Sequence, residues 1–439
     1  MRKIIISLAL LLAATATHAQ NGPWSLSDCI NYALDHNLTV KQSGLAVEQR
    51  EIELDNAKSR RLPGLSASAG ENLSFGRGLT ADNTYSNSNT TSTSFSLGGE
   101  IPIFQGFDIN NGIKISRLNL EAATADLEKA RDDIRVAVAQ AYVQILYNQE
   151  LLKVASQQCE HDAQLLDQIK ERYNAGKVSS AEVSAQQATL AQSRQSEIQA
   201  QGNLSISVLE LTQLLELSSP EGFAIVTPDV SEAGNALLMR PEAIFAEAVE
   251  IKPAVESAKI GVESAKLAVD RAKGGYLPSL SLSGGLGTNF YTNSKVQSVS
   301  FGEQLRNNFS QYVGLSLNIP IFQRFSVRNQ VRGAQVSLQG QQLNLENVKK
   351  SLYKEIQQAY YNALNSQARY NGSAQTALSA KEHYEMTEEK YKVGKAGIAD
   401  YNDARNSWLR AESEHIQARF QCLYQTKLLD FYRGKELNF

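Results

Sequence analysis

Two aspartates, Asp400 and Asp403, are the side chains of this sequence whose spacing points most directly to chemistry. Three positions apart on a helix, their carboxylates share one face, and repeated around a symmetry axis such pairs would form a ring that favours cations. A plainer role is open to them as well, because acids in the first turn of a helix complement its positive end. The other reactive side chains form no constellation. His18, His36, His161, His383 and His415 belong to no HExxH or comparable ligand set. Cys29, Cys159 and Cys422 are an odd count without zinc-like spacing and read as free small hydrophobic side chains, a Cys29–Cys422 pair being the one alternative. With no P-loop, dinucleotide fingerprint or nucleophile elbow, the sequence points to no enzyme, no cofactor and no metal.

Charge and hydropathy narrow the classes further. The formal net charge of −3 offers no electrostatic attraction to nucleic acid. Arg2 and Lys3, the apolar run Ile4–Ala14 and the small-residue exit Thr17-His18-Ala19 read as a secretory signal peptide over 1–19, cut before Gln20. No later apolar stretch reaches the ~20 residues a helix needs to cross a bilayer. If the protein enters a membrane, it does so with strands.

The elements that must carry Asp400 and Asp403 emerge when the sequence is slid along itself. Ala57-Lys58 and Leu62-Pro63 recur as Ala272-Lys273 and Leu277-Pro278, at an offset of 215. Ile101-Pro102-Ile103-Phe104-Gln105 recurs verbatim as Ile319-Pro320-Ile321-Phe322-Gln323, at an offset of 218. That second offset persists through Gln140-Ala141-Tyr142 and Gln358-Ala359-Tyr360 to Tyr173, Gly176 and Tyr391, Gly394. Three extra residues therefore lie between Leu280 and the second IPIFQ. There each copy is rich in Ser, Thr, Asn and Gly, as a surface loop is.

The flanks of that loop alternate. Phe95, Leu97, Ile101 and Ile103 share a parity, and so do Val313, Leu315, Leu317, Ile319 and Ile321, which indicates strands between an apolar and a polar medium. Tyr85, Tyr276, Phe290, Tyr291, Phe301, Phe309 and Tyr312 lie near the strand ends and are candidates for a lipid interface. Beyond the strands, Ala130, Ile134, Ala137, Ala141 and Ile145 recur at three and four. Between Phe107 and Tyr173 no proline intervenes and only one glycine, Gly112. The spacing predicts a rod of about 100 Å, which has to pack lengthwise on other helices. Pro63, Pro278, Pro102 and Pro320 punctuate the helix–strand junctions.

The sequence thus divides into a signal peptide (1–19), a first helix-strand-strand-helix repeat (20–217, strands at about 62–76 and 92–105), a linker (218–241) and a second repeat (242–439, strands at about 277–290 and 311–323). Each long helix ends at a matched sequence, Tyr173-Asn174-Ala175-Gly176-Lys177 and Tyr391-Lys392-Val393-Gly394-Lys395, where a glycine C-cap is expected.

Tandem units of helix, LPxL strand, polar loop, IPIF strand and long helix closing on Tyr-x-x-Gly resemble the outer membrane factor family, the TolC-like outer membrane efflux proteins. The resemblance covers nearly all of the chain after the signal peptide. It implies a membrane α+β fold with an internal two-fold repeat. Each protomer of a homotrimer would give four strands to a shared transmembrane β-barrel and long coiled-coil helices to a periplasmic α-helical tunnel. It also implies a place in the outer membrane, among outer membrane lipid, extending into the periplasm.

The implied function is a passive outer membrane channel of a tripartite efflux system for small molecules, with a periplasmic adaptor (membrane fusion) protein and an inner membrane transporter as partners. The outlet of a type I protein secretion system is the alternative, and a structural periplasm-spanning coiled coil without a pore is the reading from another class. On the matching positions, the tips that an adaptor grips are Ala175, Gly176, Lys177 and Val393, Gly394, Lys395, where Ala175 departs from the family's valine. Asp400 and Asp403 match an acidic constriction. Glu182 and Tyr391 match residues that hold the closed tip, whereas Ala396 stands where an arginine is expected, with Lys177 or Lys395 as substitutes.

Overall fold

The computed structural model describes residues 22–79, 83–228, 237–294 and 298–438. The expected signal peptide and residues 229–236 of the expected linker lie outside the described residues. In the first copy, α1 (Leu26–His36) and α2 (Leu38–Ser59) lead to β1 (Gly64–Ser74), and β2 (Arg77–Leu79) pairs with β3 (Tyr85–Asn87). Then β4 (Thr90–Gln105) runs into α3 (Asp108–Asn174), and α4 (Ser180–Leu214) returns. In the second copy, α5 (Pro241–Ile251), α6 (Pro253–Lys273), β5 (Ser279–Asn293), a short α7 (Phe301–Asn307), β6 (Ser310–Asn318), α8 (Ser326–Lys392) and α9 (Ile398–Tyr432) follow. Both long helices have 67 residues and both returning helices 35, so the 218-residue offset maps every one of their ends.

Local chemistry sets the helix boundaries. Ser25 and Asp28 cap α1 reciprocally: the Ser25 N–H donates to Asp28 Oδ2 at 3.0 Å, and the Asp28 N–H donates to Ser25 Oγ at 3.2 Å. Asn37 breaks α1 from α2, accepting from the Thr39 N–H at 2.9 Å and donating to the Leu214 carbonyl at 3.1 Å. In the second copy a proline at the first helical position, Pro253, starts the equivalent helix α6.

The four principal strands form one antiparallel sheet in the order β1-β4-β5-β6. Its centre joins the two copies, since β4 of the first pairs with β5 of the second from Thr90↔Asn293 to Gln105↔Ser279. Leu65, Ala67, Phe95, Leu97, Leu282, Leu286, Val313, Leu315 and Leu317 share one face through the register pairs Ala67↔Leu97, Leu97↔Leu286 and Leu282↔Leu315. The opposite face is small and polar: Ser68 and Ser96 hydroxyls meet at 2.8 Å, and Gly98 lies opposite Gly285. The apolar face is uncovered, Val313 being 83% exposed.

Two expectations change here. The fourth strand ends at Asn318 and not near 323. In the first copy, IPIFQ is paired through Gln105 because β5 lies beside it; β6 is the outer strand, Ser279 at the start of β5 already pairs with Asn318, and Pro320 has no N–H to donate. Among the strand-end aromatics, Tyr291 and Tyr312 face the serine and glycine side, opposite Ser92 and Gly285. Gly285 makes room for Tyr312, because an added Cβ would stand 2.8 Å from its ring. Phe290 keeps the apolar parity and packs edge-on against Phe301, with centroids 4.9 Å apart.

Compactness cuts across the repeat. One unit gathers the chain up to Gly44, Asp126–Val255 and Val348 onward; the other holds Leu45–Ala125 and Glu256–Asn347 with all four strands of the sheet. The first unit carries the main core, where Cys29, Ala33, Val138, Tyr142, Leu146, Leu211 and Phe420 are buried together. The Tyr142 hydroxyl donates to the Val226 carbonyl at 2.5 Å, and Trp24 forms a parallel bridge with Ile225, fixing the chain after α4 to that core. None of the three cysteines forms a disulfide; Cys29 and Cys422 are buried and Cys159 is half-buried.

Candidate functional site

The two tips are built alike. At the end of α3 the Gly176 N–H donates to the Tyr173 carbonyl (2.9 Å) and the Lys177 N–H to the Arg172 carbonyl (2.9 Å); at the end of α8 Gly394 and Lys395 do the same to Tyr391 (3.0 Å) and Lys390 (2.8 Å). This is a Schellman closure, which requires a left-handed residue. Gly176 and Gly394 supply it with φ of 72° and 73°. Around both, an added Cβ meets nothing within 4 Å, so the glycines answer to backbone conformation and not to crowding. Ala175, Lys177, Val393 and Lys395 are exposed.

Three residues later each returning helix starts. Ser179 caps α4, its hydroxyl accepting from the Glu182 N–H at 3.4 Å. At the same place in the second copy stands Gly397, which has no side chain to offer, and the Asp400 carboxylate accepts the Gly397 N–H at 3.2 Å. Asp400 therefore does cap its helix, as the plainer reading had it. Asp403 has no such task. Both are exposed on the same face of α9, and the first copy carries Glu182 and Ala185 at these positions.

Tyr391 sits between the tips. Its ring stacks on Tyr401 (centroids 5.1 Å apart), and Arg172 of the other tip lies 5.8 Å from the ring centre. Burial pushes its phenol above the ordinary range; Arg172 opposes this and Glu182 adds to it. The hydroxyl is buried and meets no hydrogen-bond partner within the protomer. The structure thus brings Tyr391, Glu182 and Arg172 together, while Lys177 and Lys395 form no ion pair among the described residues.

Just inside the tips lies a polar cluster that the sequence reading missed. Asp162 of α3 and Arg405 of α9 are 0% and 1% exposed and form an ion pair. Asp162 also accepts from Ser193 and, at 2.7 Å, from Gln158; Gln186 donates to it at 3.4 Å. Arg405 Nη1 lies 3.5 Å from His161 Nδ1, whose other ring nitrogen is 3.1 Å from the Tyr401 hydroxyl, and Tyr401 reaches Tyr384 at 3.2 Å. Burial first, then the Arg405 charge, lowers the His161 pKa, against Asp162 and Glu388. Burial raises that of Tyr401. A buried pair is costly to desolvate and more costly to break. Two features of the sequence carry it: Asp162 stands seven residues before Ile169 and Arg405 three before Trp408, each on its helix's buried stripe. The repeat does not reproduce it, since Ala380, Gln187, Val183 and Leu190 replace Asp162, Arg405, Tyr401 and Trp408.

No helix of the described residues is long and apolar enough to cross a membrane. Comparison with known proteins fits the doubled architecture. A family model described as outer membrane efflux protein matches residues 29–216 and again 245–434. Outer membrane protein TolC of Escherichia coli (strain K12) is 27% identical over 438 residues, covering 96% of this chain and 83% of TolC. Among solved structures, CusC superposes with a TM-score of 0.79 over 95% of each chain at 16% identity. The outer membrane protein VceC of Vibrio cholerae does so with 0.76 over 94% of this chain and 96% of its own, also at 16% identity.

Proposed function

This chain belongs to the outer membrane efflux protein family, and from that premise we propose that three copies close one barrel and conduct small molecules passively out of the cell from a pump. The observation that carries this reading is the four-stranded sheet itself. It has one apolar face, one face of serine and glycine, and two outer strands, β1 and β6, each with a free edge. Open edges are not tolerated in lipid, and four strands cannot enclose water. Three sheets joined edge to edge can, with the apolar faces toward lipid and the serine–glycine faces lining the channel.

The 67-residue helices then extend the channel through the periplasm and end in the paired glycine turns. Their exposed residues, Ala175-Gly176-Lys177 and Val393-Gly394-Lys395, are the surface a periplasmic adaptor would grip. Threefold symmetry would gather Asp400 and Asp403 into a ring of carboxylates at the narrow end, a cation-selective constriction. The buried Tyr391 hydroxyl, beside Arg172 and Glu182, would latch the closed tip. With no nucleotide-binding motif in the chain, the energy comes from an inner membrane transporter. The same duct would serve as the outlet of a type I protein secretion system, because the pump selects the cargo.

Reconstitution of the purified trimer in planar bilayers is the test. Discrete, cation-preferring conductance steps are expected. Silence at every voltage and pH, from protein shown to be trimeric, would favour a periplasm-spanning coiled coil without a pore.

A further inference from the structure

The two copies differ where strands meet helices, and the difference is one of charge. In the first, Gly106 and Phe107 turn the chain through left-handed backbone (φ 57° and 65°), and Asp108 follows. Arg60 and Arg271 converge on that carboxylate at 2.9 and 2.6 Å, and Gly106 lies so close to the Gly274 backbone that neither could carry a Cβ. In the second copy the same turn is made by Arg324 and Phe325 (φ 49° and 61°), and the residue in the place of Asp108 is Ser326. Here the acid is gone and a cation has been added. From Ile319 to Leu345 there is no Asp or Glu, while Arg324, Arg328 and Arg332 follow at intervals of four. None of the three forms an ion pair among the described residues.

Against Arg328 a crevice of about 260 Å³ opens, lined also by Tyr276, Ile321, Phe322, Phe325 and Val327, and Arg324 precedes Phe325 in the chain. Ile321 is 95% exposed, and Arg328 lies over the Phe325 ring at 4.2 Å. The crevice lies where the chain passes from β6 to α8, and Arg328 borders it. A largely apolar slot edged by Arg328, with Arg324 close by in the chain and neither in an ion pair, complements a lipid with an anionic headgroup. Resting on the trimeric reading above, we propose that this junction binds an anionic phospholipid of the leaflet facing the long helices. Its phosphate is held by Arg324 and Arg328, and one acyl chain lies against Phe322 and Ile321. The repeat places this site at the seam between protomers, where the neighbouring copy would bring Ser59, Arg60 and Arg61 in the place of Gly274, Gly275 and Tyr276, with Arg60 already paired to its own Asp108 and Arg61 hydrogen-bonded to Asn110.

The test uses the full trimer, reconstituted in phosphatidylethanolamine vesicles with phosphatidylglycerol, then examined by native mass spectrometry for retained lipid. Wild type should retain phosphatidylglycerol in preference to phosphatidylethanolamine. The Arg324→Gln/Arg328→Gln variant should bind it roughly 30-fold more weakly, about fivefold per arginine, and Arg324→Lys/Arg328→Lys should recover most of the loss. Equal retention by wild type and the glutamine variant, or no preference over phosphatidylethanolamine in wild type, would overturn the proposal. Trimer formation and conductance, measured on the same samples, report separately on the channel reading.

Discussion

If three copies close the barrel, the repeat fixes which residues meet at the seam. Inside each copy the hairpin register is repeated residue for residue: Ala67↔Leu97 in the first becomes Leu282↔Leu315 in the second. The remaining pairing, β4 with β5, should recur as β6 with β1 of the next protomer. Carrying Gly98↔Gly285 forward by 218 and back by 215 sets Ser316 opposite Gly70 of the neighbour, both on the serine–glycine face. Directly opposed residues have Cα atoms about 4.5 or 5.5 Å apart, within the span of about 4.4–6.8 Å that a disulfide bridges. A partner two residues along shares the face but lies ~6.8 Å further up the strand, which puts the Cα atoms about 8 Å apart and out of reach. Oxidation of the Ser316→Cys/Gly70→Cys protein should therefore give a covalent trimer on denaturing, non-reducing gels. The Ser316→Cys/Asn72→Cys protein should stay monomeric there, as should the unsubstituted chain with its own three cysteines. Equal cross-linking of both pairs, or cross-linking through Asn72 alone, would refute the transfer of register from the repeat.

Replacing both Asp400 and Asp403 with Asn should shift the reversal potential in a salt gradient toward zero. Thermal stability should hardly change, because the amide oxygen of an asparagine in the place of Asp400 can still accept the Gly397 N–H. At the tip, Gly394→Leu forces a left-handed conformation on a branched side chain at ~1–2 kcal/mol and should abolish cross-linking to a purified adaptor; undiminished cross-linking would remove this turn from the docking surface. Arg405→Met leaves Asp162 buried with only neutral donors and should destabilise the helical part by ~3–5 kcal/mol, and adding Asp162→Leu should recover most of that in thermal unfolding. His161 has a pKa below its ordinary 6.5, so the unfolded chain binds the proton more readily. Its stabilising contribution is full above 6.5 and is lost as pH falls toward the folded value, so His161→Gln should flatten the fall in melting temperature through that window.

Why some of this was legible and some not follows from what repetition can encode. A doubled LPxL–IPIF pattern reveals strands and rods because each copy checks the other, and the offsets of 215 and 218 reappear as helix ends. What depends on a partner strand is invisible to such a comparison. The two IPIFQ segments are identical, yet only the first is a strand, because only the first has β5 beside it. The parity of Tyr312 was open to reading, since Val313 and Leu315 on one face put it on the other. The Asp162–Arg405 pair was harder, because a charge on a buried stripe is recognisable only once the stripe is known to be buried.

Two groups of residues that break the repeat lie where sixfold equivalence would be a disadvantage. A wall made of six identical hairpins closes equally well in alternative registers, because every seam offers the same contacts. Here one seam is sealed by the Gly106–Gly274 approach and the Arg60–Asp108–Arg271 bridge. Arg324 cannot copy the close approach of Gly106, since a side chain at that spot would strike the facing backbone. In a trimer, the seam between protomers would therefore stand wider at the junction even though its strands share the register. In the first unit, Asp162 pairs with Arg405 across the copies and leaves Ala380 and Gln187 without that chemistry, so α3 and α9 have one register in which a buried charge is neutralised. A one-turn slip would bury Asp162 unpaired at a cost of several kcal/mol.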